Sequence, residues 1–239
     1  MDRAMLGFSQ IDLFALVFFV TAWAIYHVAF AREGEKGVNG VMGEYRLRWM
    51  MQMSQREVRI MDSAIMASLQ NGTAFFASTS LLAIGACATL LGSIDDMTKI
   101  AADLPLGVAT PRVVLELKII GLLLIFGYAF FKFAWSYRLF NYTAILLGAT
   151  PQARDPDALE RERIAGRAGR MGVAAARHFT RGQRAFFFAL AYLGWFLGPF
   201  VFMGMTFFVL LVMWRRQFAS DAREALRWEP PPREPDGPA

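Results

Sequence analysis

The sequence predicts an all-α fold, a polytopic transmembrane helical bundle of four spans whose long helices extend into a cytoplasmic helical layer. Hydrophobic residues make up 56% of 239 positions, with 22 Phe and a mean hydropathy of +0.35, more apolar surface than an ordinary soluble domain carries. Apolar runs long enough to cross a bilayer, which takes about 20 residues each, fall at about 11–31, 68–91, 113–136 and 185–214. The connections between them are rich in arginine and show helical periodicity. The transmembrane domain is therefore expected over 1–226, and the proline-rich end, 227–239, is expected to be disordered.

The first run, Ile11 to Ala31, follows Asp2 and Arg3, contains Asp12, and lacks the small-residue cleavage site of a secretory signal. It reads as a retained span. Trp23, Tyr26 and His27 near its far end suit an interface, where amphipathic rings are favoured. Gly34, Gly37, Gly40 and Gly43 then allow the chain to turn back.

From Glu44, the residues Leu47, Met51, Val58 and Met61 belong to a stripe in steps of three and four, with Arg46, Arg56 and Arg59 mostly elsewhere. That pattern predicts an amphipathic helix over 44–67 with a narrow apolar face suited to a partner. With no proline or glycine before Gly72, it is expected to continue unbroken into the second span. In that span Asn71, Ser78, Gly85 and Gly92 recur every seven residues and share one side. Such a strip suits close helix packing or, more sharply, one wall of a polar path.

Pro105 and Pro111 interrupt the next connection. The stretch Val113 to Ala149 is too long for one crossing, and only Ile119 to Phe131 is uninterrupted by charge. Lys118 and Lys132 therefore mark its two boundaries and snorkel towards them. Beyond Trp135 and Tyr137 the helix continues through Arg138 to Gly148 in water. After Pro151 and Pro156 comes a weakly amphipathic segment, 158–182, carrying Arg163, Arg167 and Arg170 among others. Its expected place is against anionic lipid headgroups, together with Lys132 and Arg138. The last run, 185–214, is about ten residues longer than a crossing needs. Gly194, Gly198 and Pro199 predict a kinked, closely packed span, with a hairpin turning at Gly198 and Pro199 as the alternative.

Candidate chemistry is sparse. Glu116 and Lys118 are the charges nearest hydrocarbon, but two residues apart they point about 200° from each other. The cavity reading sets them across from Asn71, Ser78 and Gly85. His27 and His178 are the only histidines, and Cys87 the only cysteine, so no zinc site or disulfide is expected. The methionines Met50, Met51, Met53, Met61 and Met66 could attract copper, but core filling is favoured. No GxSxG, HExxH, Walker or GxGxxG string occurs. No catalytic residue, metal or cofactor is expected. The net charge of +5 is read as membrane flanks rather than nucleic-acid binding.

The strings NGTAFFASTSLLAIG, LELK with AFFKFAWSYRLFNYTAILLGA, and RAFFFALAYLGWFLGP with WRRQFASDAREAL, in that order, resemble the membrane-protein family of bacteria and plants catalogued as domain of unknown function 599. The resemblance spans about Ile11 to Leu226. It implies roughly four spans and supplies no catalytic residues; the expected location is a bacterial inner membrane. Arginine placement puts the N-terminus in the periplasm, although four crossings then leave Arg215 and Arg216 outside, against the positive-inside rule. The functional expectation is a structural or assembly subunit that binds itself or a membrane partner, together with lipid. The alternative is a small oligomeric channel or transporter lined by the second and third spans.

Overall fold

The computed structural model describes residues 7–32, 37–95, 111–218 and 225–226. Among them the chain forms six α-helices and no strand: α1 (Gln10–Arg32), α2 (Val38–Ser54), α3 (Ile60–Gly92), α4 (Arg112–Ala149), α5 (Ala158–Leu193) and α6 (Pro199–Phe218), with a 3₁₀ turn, Gly194–Phe196, before the last. Helices α1, α3, α4 and α6 are each long and apolar enough to cross a membrane. The expected tail, 227–239, and most of the connection between α3 and α4 lie outside the described residues.

Local chemistry sets the helix starts. Ser9 and Asp12 form a reciprocal cap on α1, with the Asp12 amide donating to Ser9 Oγ at 3.1 Å and the Ser9 amide to Asp12 Oδ2 at 3.3 Å. Asp157 caps α5 by accepting from the Glu160 amide at 2.9 Å. No proline interrupts 112–149, and α4 runs unbroken from Arg112 to Ala149, as its sequence predicts.

Three antiparallel pairings build the bundle. Helix α3 lies along α4, where Gln70 donates to Asn141 at 2.7 Å and Phe76 stacks on Phe133 at 5.4 Å. Helix α5 returns along the whole of α4, with Ser136 donating to the Ala175 carbonyl at one level and Lys118 to the Trp195 carbonyl at another. Helix α6 then folds back on α5 and α1, so that Phe19 touches Phe188, Tyr192 and Phe202 together.

The core has two parts. An aromatic one, including Phe8, Phe19, Phe188, Tyr192, Trp195 and Phe202, fills the apolar layer between α1, α4, α5 and α6. A smaller-grained one, including Met50, Met53, Met66, Phe140, Ala168 and Ala175, fills the layer where α2, α3, α4 and α5 extend beyond it.

Two expectations are corrected. The helix predicted to run from Glu44 through the second span breaks between Ser54 and Ile60. No glycine or proline causes it. The break lets Trp49 on α2 and Arg56 in the connection both donate to Asp62 Oδ1, at 2.7 and 2.5 Å, and Asp62 is fully buried. A buried carboxylate demands such partners. The proposed stripe is split accordingly: Leu47 and Met51 stay on α2, while Val58 and Met61 are exposed in the connection and on α3.

The run 185–214 is not one kinked crossing. Its first part finishes α5, and the chain reverses at Gly194–Gly198. Gly198 has φ +132°, a conformation other residues avoid, and Pro199 suits the first turn of α6. The segment 158–182 is likewise the first part of α5 and packs on α2 and α4 through Ala165, Ala168, Gly169, Gly172 and Ala175, all buried. At Gly182 an added Cβ would lie 2.7 Å from Phe133, so the glycine is what lets α5 approach α4 there.

Candidate functional site

The two ends of the apolar layer differ in chemistry. At one end Asp12 of α1, Lys118 of α4 and Trp195 of the turn form a closed node. Trp195 Nε1 donates to Asp12 Oδ1 at 2.7 Å, Lys118 Nζ donates to the Trp195 carbonyl at 2.9 Å, and the Lys118 ammonium stands 3.8 Å from Asp12 Oδ1. The ammonium also lies 5.0 Å from the Trp195 ring. Lys118 is only 5% exposed. Ser9 Oγ donates to the other carboxylate oxygen of Asp12 at 2.6 Å, so the acid is well supplied with donors.

Glu116 takes no part in this node. It accepts from Arg112 at 2.9 Å, and Arg112 reaches Asp95 at 2.6 Å. In the sequence Glu116 and Lys118 stand out as the charges nearest hydrocarbon, whereas Asp12 counts only against a signal peptide. An acid three residues after a serine, at the start of an apolar run, was the available signal.

The opposite end gathers arginine. Tyr26 of α1 lies beneath Arg184 of α5 at 5.5 Å and within electrostatic reach of Arg216 of α6. Arg163, Arg167 and Arg170 are exposed on α5, and Arg138 is exposed on α4, where it donates to Tyr142 at 2.7 Å. Lys132 sits over the Tyr128 ring at 5.0 Å. Because Trp195 is at the Lys118 end and Arg184 at the Tyr26 end, the second half of α5 traverses the apolar layer too. Arg215 and Arg216 therefore return to the arginine end.

The end of α4 is secured from elsewhere in the chain. Arg59 donates to the carbonyls of Thr150 and Pro151 at 2.6 and 2.5 Å. Arg154 and Glu57 form a bidentate pair at 2.7 and 2.8 Å. Both contacts tie the break between α2 and α3 to the connection between α4 and α5.

Asn71, Ser78 and Gly85 do not face Glu116 or Lys118 across a cavity. They lie on the exposed side of α3, and an added Cβ at Gly85 or Gly92 would meet nothing within 4 Å. The strip is also longer than the sequence reading made it. Asn71, Phe75, Ser78, Leu82, Gly85, Thr89 and Gly92 follow one another in steps of four and three, and every one is exposed. The side chains that α3 buries are on its other side, among them Thr73, Ser80 and Cys87.

Gly194 is buried in the turn against Met205, while an added Cβ at Gly198 would meet nothing within 4 Å. A cleft bordered by Arg46, Trp49, Met66 and Gly172 encloses about 10 Å³, space for about one water. Among the described residues no three His, Cys, Asp or Glu side chains converge to hold a metal ion. No curated protein and no solved structure matches the chain. The family model described as protein of unknown function, DUF599, matches residues 14–222, nearly the whole multi-pass helical domain, and the chain therefore belongs to that family.

Proposed function

We propose that the protein is a structural or assembly subunit of a bacterial inner membrane, and that it pairs with a second copy of itself along α3. The observation that carries this reading is the exposed seam from Asn71 to Gly92. Alternate four- and three-residue steps are the spacing at which two helices interlock side chains. Three of its members, Asn71, Ser78 and Thr89, carry polar groups on a face that lipid would otherwise cover, and Gly85 and Gly92 let a neighbouring backbone come close. Copies inserted in one orientation present parallel α3 helices, so each seam residue meets its own counterpart.

The arginine end is the cytoplasmic face and the Asp12 end the periplasmic face. Support comes from the positive-inside bias together with the return of Arg215 and Arg216 to the arginine end, which removes the conflict that four crossings create. Exposed Arg163, Arg167 and Arg170 then lie on the side where anionic headgroups are available. The channel reading has less support: the seam faces away from Lys118, and Lys118 is closed off by Asp12 and Trp195.

The test replaces small seam residues by large ones. Ser78→Phe with Gly85→Phe is expected to shift the detergent-solubilised protein from dimer to monomer mass, because both sites are exposed within one copy. Retention of the wild-type mass would count against the seam.

A further inference from the structure

The sequence reading set His27 and His178 aside as ordinary interfacial histidines on distant segments. The fold brings them to one place. His27 of α1 lies in the electrostatic field of Lys132 of α4 and of Arg181 and Arg184 of α5. His178 of α5 lies in the field of the same Lys132 and Arg181. Among the described residues, the charged side chains acting on either histidine are cationic, and they come from separate helices. Tyr26 and Tyr128 contribute the adjoining surface, with Arg184 at 5.5 Å from the Tyr26 ring and Lys132 at 5.0 Å from the Tyr128 ring. Arg216 reaches the same Tyr26 from α6.

Lys132 and Arg181 act on both histidines, and like charges close together at a low-dielectric boundary repel one another at a cost that an anion would lower. The histidines add hydrogen-bonding ring nitrogens to that charge. His178 packs edge-on to Trp135 at 6.4 Å, and its Nδ1 is buried without a hydrogen-bond partner. Lys132 lies 14 residues beyond Lys118, about 21 Å along the helix at the usual rise. That span is shorter than the hydrocarbon core of about 30 Å, so the Lys132 ammonium reaches towards the headgroups from inside the boundary. Trp23 stacks on the buried Phe188 and meets the exposed Tyr128 edge-on, so Trp23 and Tyr128 offer an apolar wall for an acyl chain.

We propose that His27, Lys132, His178, Arg181 and Arg184 form a binding site for the phosphate of an anionic phospholipid, seated where α1, α4 and α5 meet. This site is separate from the exposed arginines Arg163, Arg167 and Arg170, which lie at least 11 residues further from the turn than Arg181 on the same helix. It is also independent of the α3 seam.

The purified full-length protein, stripped of lipid in detergent, is titrated with phosphatidylglycerol, with phosphatidylcholine, or with inorganic phosphate. Bound lipid is read by native mass spectrometry and stability by thermal melting. The expected result is retention of phosphatidylglycerol over phosphatidylcholine with a raised melting temperature. Lys132→Gln with Arg181→Gln should weaken that retention by roughly thirtyfold, at about 1 kcal/mol per cation. Arg48→Gln with Arg112→Gln, both exposed and outside the site, should leave it unchanged. Equal retention of the two lipids by the wild-type protein, a comparison that needs no variant to fold, would overturn the proposal. So would unchanged retention by the Lys132/Arg181 variant, or equal weakening by the control pair. Protection by inorganic phosphate with none from phosphatidylglycerol would overturn lipid as the source of the phosphate.

Discussion

Replacing Lys118 by Met removes an ammonium while keeping an unbranched side chain of similar length. The Trp195 carbonyl then loses a charged donor at 2.9 Å, and Asp12 loses a cation at 3.8 Å. A hydrogen bond from a charged group contributes about 1.5–3 kcal/mol, whereas stranding one partner of a buried ion pair costs about 3–5 kcal/mol. The lower range applies here. Asp12 keeps donors from Ser9 and Trp195 and is partly open to water, with its side chain 15% exposed. The expected loss is about 2–3 kcal/mol, or roughly 4–12 °C in melting temperature for a chain of this size. Asp12→Asn should cost less in the Lys118→Met background than in the wild type, since the two groups share one network. Thermal melting of the four proteins in one detergent measures both effects. A Lys118→Met protein that melts within a degree of wild type, with additive single changes, would refute the claim that this node holds α1, α4 and the turn together.

Two further outcomes test the packing. Gly182→Ala places a methyl group 2.7 Å from the fully buried Phe133 and should destabilise by about 1–3 kcal/mol through overpacking, whereas Gly127→Ala, with nothing within 4 Å, should be neutral or stabilise by up to about 1 kcal/mol; melting temperatures decide the order. Arg59→Ala removes the donor to the Thr150 and Pro151 carbonyls, and faster hydrogen exchange and proteolysis around 147–157 are expected, with little change near Lys118.

What the sequence made legible follows from what is local. The length of α4 could be read because nothing between Pro111 and Pro151 breaks a helix, and the lysines at 118 and 132 bracket its apolar middle. The break after Ser54 could not, because its cause is tertiary: Asp62 Oδ1 gains its donors only when Trp49 and Arg56 turn towards it. The arginines of α5 disguised a packed helix as a surface one. Its buried Ala165, Ala168, Gly169, Gly172 and Ala175 were the better signal, since small residues at helical spacing permit close approach, but their low hydropathy hid them from a search for apolar runs. The turn before α6 was visible as a glycine followed by proline, yet choosing between kink and hairpin required Phe19, far away in sequence, to touch both arms. In the seam of α3, the seven-residue recurrence was legible. Which way it faced was not.

The central claim concerns that direction, and disulfide trapping tests it. Cys87, the only native cysteine, is buried, so single cysteines can be introduced over a low background. Ser78→Cys and Gly85→Cys on the seam should yield covalent dimers in native membranes under mild oxidation. Phe131→Cys on α4 and Phe207→Cys on α6, whose parent side chains are 71% and 62% exposed, should not. Cross-linking at Phe131 or Phe207 with none at Ser78 and Gly85 would contradict the account.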